Sequence, residues 1–144
     1  MKRFFILTAL LLPTLFTVRA DERAIDLAEL PKAAQEFLSS NFAGVPIKYA
    51  TVDREIMDTD YEVRLDDGTK IDFNGKGNWT EISNKRSGIS INIIPPKLVD
   101  YVRKEYPQAS FITIERDKND YEIKLSNGVE LTFNLDGKLI GFDD

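Results

Sequence analysis

The sequence predicts an α+β fold built as two tandem units, each packing one helix on an antiparallel sheet. Three observations predict it. The stretch DYEVRLDDGTKIDFNGKG, Asp60 to Gly77, returns sixty residues later as DYEIKLSNGVELTFNLDG, Asp120 to Gly137, with eight of eighteen residues identical. Both copies alternate apolar and polar residues with period two, as half-buried strands do. An apolar stripe of helical spacing precedes each copy.

The elements follow in chain order. Residues 1–20 read as a secretory signal: Lys2 and Arg3, then an apolar run from Phe4 to Val18, then Val18-Arg19-Ala20 before a cleavage point at Asp21. The run is shorter than the roughly 20 residues a membrane span needs. The chain has no Cys, which excludes a disulfide and a lipid anchor on cysteine and suits a bacterial periplasm. Residues 21–28 form an N-terminal segment of no assigned structure. Residues 29–83 are the first unit, 84–92 a linker and 93–144 the second unit.

Within the units, Leu30, Ala34, Phe37 and Leu38 share their spacing with Ile94, Leu98, Tyr101 and Val102. Pro31 and Pro95-Pro96 stand at the helix starts, where a missing N–H costs nothing. Phe42 and Tyr106 mark the exits. β-rich connections lie near Ile47–Val52 and Phe111–Ile114, the first longer by four residues around Arg54 to Thr59. Strands through Tyr61/Val63/Leu65 and Tyr121/Ile123/Leu125 run into Asp67-Gly68 and Asn127-Gly128, dipeptides suited to tight hairpin turns. Return strands carry Ile71/Phe73 and Leu131/Phe133, and third strands begin near Trp79 and Leu139. In the linker, Ile89/Ile91/Ile93 alternate as a short extended segment.

These paired units, a helix and then D-Y-E-x-x-L-x-x-G-x-x-x-x-F-N-x-x-G, resemble the tandem PepSY-like proteins exported by Bacteroidetes. That family resembles the β-lactamase-inhibitor protein in fold, and the resemblance spans essentially the whole mature chain. It implies two helix-on-sheet units side by side, with helices on one face and an open antiparallel sheet on the other. PepSY domains at large are associated with inhibiting or chaperoning secreted peptidases. The shared motifs are structural, so the resemblance transfers no catalytic or binding residue.

Composition narrows the chemistry. Without Lys2, Arg3 and Arg19 the mature chain holds 16 basic against 24 acidic residues, a net charge of −8, which disfavours nucleic acid and anionic membranes. With no His and no Cys, the usual catalytic base and two common nucleophile systems are missing. Zinc and copper lose their favoured ligands. Asp72-x-Asn74-x-Lys76-Gly77 resembles the start of a calcium loop, but position five is Lys76 and position twelve is Ser83. In the second copy Thr132 replaces the first ligand, although Asn134, Asp136 and Asp143 are oxygen donors. Turns select Asn, Asp and Gly for backbone reasons alone. No cofactor, metal or catalytic residue is expected.

The expected function is non-catalytic binding of an exported protein or peptide in the periplasm, with enzyme inhibition as one form. The expected surface is the polar side of the sheet: Glu62, Arg64, Lys70 and Asp72 in the first unit, Glu122, Lys124 and Glu130 in the second. Trp79, the sole Trp, reads as core packing and as a candidate interface anchor. The alternatives are a small-ligand or calcium-responsive sensor and an uncharacterised hydrolase.

Overall fold

The computed structural model describes residues 22–144; the secretory signal expected over residues 1–20 lies outside the described residues. Nine strands form one antiparallel sheet in sequence order: β1 (Glu22–Ile25), β2 (Ile47–Arg54), β3 (Thr59–Leu65), β4 (Lys70–Phe73), β5 (Trp79–Ser83), β6 (Phe111–Arg116), β7 (Asp120–Leu125), β8 (Glu130–Asn134) and β9 (Leu139–Asp143). Helices α1 (Lys32–Asn41) and α2 (Pro96–Glu105) pack on one side of it. The two expected units are present, but they are not merely neighbours. β5 of the first pairs with β6 of the second through Glu81–Glu115, Ile82–Ile114 and Ser83–Thr113, so the sheet is continuous.

Period-two alternation sorts the residues onto the two faces. One register row crosses all nine strands on the helix side: Ile25, Ala50, Val63, Ile71, Ile82, Ile114, Ile123, Leu131 and Phe142. Its members from Ala50 to Leu131 are buried, as are Phe73 and Phe133. Phe37 meets Phe73 edge-on with ring centroids 5.9 Å apart, and Tyr101 meets Phe133 at 5.4 Å, so the duplicated helices dock by duplicated aromatic contacts.

Both helices begin two residues beyond the stripe's first member. Pro31 and Pro95 occupy the N-cap, and Leu30 and Ile94 are buried just outside the helix. Phe42 and Tyr106 cap the far ends, their N–H groups donating to the carbonyls of Leu38 (2.9 Å) and Val102 (2.7 Å).

The structure fills in two stretches and corrects one. In the N-terminal segment Glu22–Ile25 is β1, paired with β2, and Leu27–Glu29 is a 3-10 helix. Ile91–Ile93 is a 3-10 helix capped by Ser90, not an extended segment. The linker is also an ordered hub. Buried Asn84 donates to the Asp67 carbonyl (3.2 Å) and to Thr69 Oγ1 (3.1 Å), and its Oδ1 accepts from the N–H groups of Arg86 and Ser87. The longer first connection is spent on extending the β2–β3 hairpin by the pairs Asp53–Asp60 and Arg54–Thr59.

Candidate binding face

The side of the sheet away from the helices carries two further register rows. The first runs Thr51, Glu62, Asp72, Glu81, Glu115, Glu122 and Thr132. Five of these seven are carboxylates on five consecutive strands, β3 to β7. The second runs Tyr49, Arg64, Lys70, Ser83, Thr113, Lys124 and Glu130, two residues along each strand and therefore on the same face.

Cations from the second row neutralise the first-unit part of the first row, on β3 to β5. Arg64 Nε lies 2.6 Å from Glu62 Oε1. Lys70 Nζ bridges Asp72 Oδ2 (3.1 Å) and Glu81 Oε1 (3.5 Å), and Lys124 Nζ reaches Glu130 Oε1 at 2.9 Å. Between them, at the junction of the units, stands Glu115. Burial, then the adjoining Glu81 and Glu122 carboxylates, push its acid up to about 7. Burial also raises Asp72, against the pull of Lys70. Glu81, Lys85, Thr113, Glu115, Glu122 and Lys124 line part of a groove of about 480 Å³ over this region.

The seven charged residues expected on this face, Glu62, Arg64, Lys70, Asp72, Glu122, Lys124 and Glu130, share it. Trp79 does not. Its register partner is Phe73, so it points to the helix side and is only 7% exposed. Its ring lies 6.4 Å from that of Phe37, and the Arg116 guanidinium sits 3.8 Å above it while Arg116 Nε donates to the Trp79 carbonyl (2.8 Å). That sandwich joins the two units. Glu81 and Glu115 were missed. Their place in the acidic row depends on the β5–β6 pairing, and alternation within β5 and β6 was the signal that could have found them.

The turn carboxamides of the calcium-like motif serve the backbone. Asn74 Oδ1 accepts from the N–H groups of Lys76 and Asn78, and Asn134 Oδ1 from those of Asp136 and Lys138. Among the described residues no group of acids is arranged to hold a metal ion.

The family description "Putative beta-lactamase-inhibitor-like, PepSY-like" matches residues 17–68 and 59–141. The chain belongs to the PepSY-like family. Its duplicated fold recurs in solved structures from Bacteroides. One, described as "a putative periplasmic protein from DUF2874 family" of Bacteroides vulgatus ATCC 8482, is 36% identical over 87% of this chain and 98% of its own, with a TM-score of 0.81. Another, from Bacteroides thetaiotaomicron, is described as "a putative calcium-regulated periplasmic protein"; it is 38% identical over 86% of this chain and 98% of its own, TM-score 0.83. A third, again from Bacteroides vulgatus ATCC 8482 and described as of unknown function, is 30% identical over 85% and 99%, TM-score 0.79. No curated protein is significantly similar to this PepSY-like chain.

Proposed function

We propose that the chain is an exported, non-catalytic binding module that engages a protein or peptide in the periplasm through the open face of its sheet. The observation that carries this reading is the asymmetry of that sheet. Helices bury one face, whereas the other presents a five-strand carboxylate row whose ion pairs with its own cations lie on the first-unit strands β3 to β5. A solvated face needs no such row, because like charges placed opposite one another on adjacent strands are destabilising. Export is supported by the basic-then-apolar start of the chain and by relatives described as periplasmic.

The test reverses charges at Glu62, Arg64, Glu122 and Lys124 and compares them with reversals at Lys32, Glu36, Lys97 and Asp100 on the helices. A complex recovered from periplasmic extract should weaken by about 1 kcal/mol or more with the sheet changes. Folding stability should move by less than about 0.5 kcal/mol per change. Helix changes breaking the complex while sheet changes stay silent would refute the reading.

A second reading is calcium responsiveness, favoured by the description of the 38% identical relative. It predicts that millimolar calcium raises the melting temperature and that Glu115→Gln with Glu122→Gln abolishes the rise.

A further inference from the structure

The β2–β3 hairpin ends in two adjacent apolar side chains that no described residue covers. Ile56 and Met57 are 101% and 94% exposed. Exposed apolar residues are ordinary when scattered singly, but these stand together at the tip of a projection. The internal duplication shows the plain form of the same turn. In the second unit the β6–β7 turn closes at Asp117 and Asp120 around Lys118 and Asn119, and Asp117 Oδ1 accepts from the N–H groups of Asn119 and Asp120. The first-unit connection is four residues longer, two on each strand, which carries its tip about 7 Å further out.

Turn chemistry does not account for the apolar pair. Glu55 N–H donates to the Asp58 carbonyl at 2.8 Å, and Asp58 N–H returns only a long bond of 3.4 Å to the Glu55 carbonyl, so Ile56 and Met57 are the two loop residues. A two-residue hairpin loop that matches the twist of its strands needs positive φ, which Asn and Gly supply. No non-glycine among the described residues has positive φ. Ile and Met therefore fill this loop against its local preference, and such exceptions mark functional positions. The stem below them is held on both sides. Asp53 pairs with Glu22 of β1, and a Cβ on Gly75 in the β4–β5 turn would stand 3.3 Å from the Thr59 carbonyl oxygen. A tip on a fixed stem has less order to gain on binding.

Charge around the tip selects the partner. Asp53, Glu55, Asp58 and Asp60 flank it, against Arg54 and Lys76. Burial, then the fields of Asp58, Asp53 and Glu55, raise the Asp60 acid, so the four acids act on one another. An anionic lipid surface would meet them with like charge, and so would a second copy of this acidic chain. An apolar recess bordered by cations answers both features of the tip.

We propose that Ile56 and Met57 form an anchor that enters an apolar recess, bordered by Lys or Arg, on another exported protein. The inference rests on the reading of the chain as a binding module, but not on the open face of its sheet.

Two experiments on the mature full chain test it. Ile56→Asn with Met57→Gly writes the residues the turn prefers into the tip, and should not lower the melting temperature. A fall of several degrees would assign the pair to the fold and overturn the proposal. In exporting cells, a photo-crosslinking side chain at position 56 should give one discrete adduct with another protein, and the same side chain at position 118 none. That partner, once purified, should bind the double variant at least about tenfold more weakly, and Asp58→Lys should weaken it too. No adduct at position 56, an adduct only with lipid or a second copy, or a purified partner indifferent to the double variant overturns the proposal. An adduct from position 113 on the open face with none from position 56 would overturn it and leave the open-face reading standing. The reverse would support the tip as anchor and count against the open face.

Discussion

Glu115 shows how one residue reports its surroundings. Its strand alternates like the others, yet its acid is raised to about 7 because it is partly buried between Glu81 and Glu122. Its unfolded counterpart releases a proton near the ordinary value of 4.5. Between those values the folded state holds more protons, so stability falls as pH rises through the interval and levels off above it. Burial raises Asp60 and Asp72 in the same direction. The melting temperature should accordingly be higher near about pH 5 than near about pH 8, and Glu115→Gln should flatten the profile. A profile unchanged in Glu115→Gln would show that another group sets it. None of this was legible in the sequence, where Glu115 is one acid among 24.

Elements were the most legible scale. Alternation and turn dipeptides located β3, β4, β7 and β8, because their side chains meet core and solvent in strict turn. The glycines ending the second turns show the same economy. Gly77 and Gly137 both have φ of +84°, and a Cβ on Gly77 would meet Pro31 Cβ at 2.8 Å and the Ala34 nitrogen at 2.9 Å. The turn thus lies flat against the start of α1, as the Gly137 turn lies against Lys97 of α2. Gly77→Ala should cost about 1–3 kcal/mol, read as a lowered denaturation midpoint at constant slope. Gly128→Ala meets nothing within 4 Å and should cost less, although its φ of +89° strains it too. Equal costs would mean that helix contact adds nothing. Residues 22–29 and 91–93 escaped sequence reading for a shared reason. A four-residue edge strand exposes three of its side chains, and single-turn 3-10 helices carry too few residues to show a period.

At the scale of the molecule, the repeat became one sheet. The β5–β6 ladder, the Ile82–Ile114 pair and the Trp79–Arg116 sandwich couple the two units, so they should unfold together. Trp79 fluorescence and far-UV circular dichroism are expected to give coincident transitions, and Ile82→Ala should lower both by about 2–5 kcal/mol. Two separable transitions would show the units to be independent.

By itself the sequence determined the duplicated helix-and-meander plan, the face to which most charges belong, and the lack of histidine and cysteine side chains. Each is a local property, written in periodicity, turn residues and composition. Only the tertiary structure decided that Trp79 is buried, that five carboxylates line up across five strands, and that β5 and β6 join the two units into one sheet. Those are questions of which strands meet. Pairing between β5 and β6 joins segments separated by the linker, α2 and its flanking loops, and no spacing within either strand encodes its neighbour.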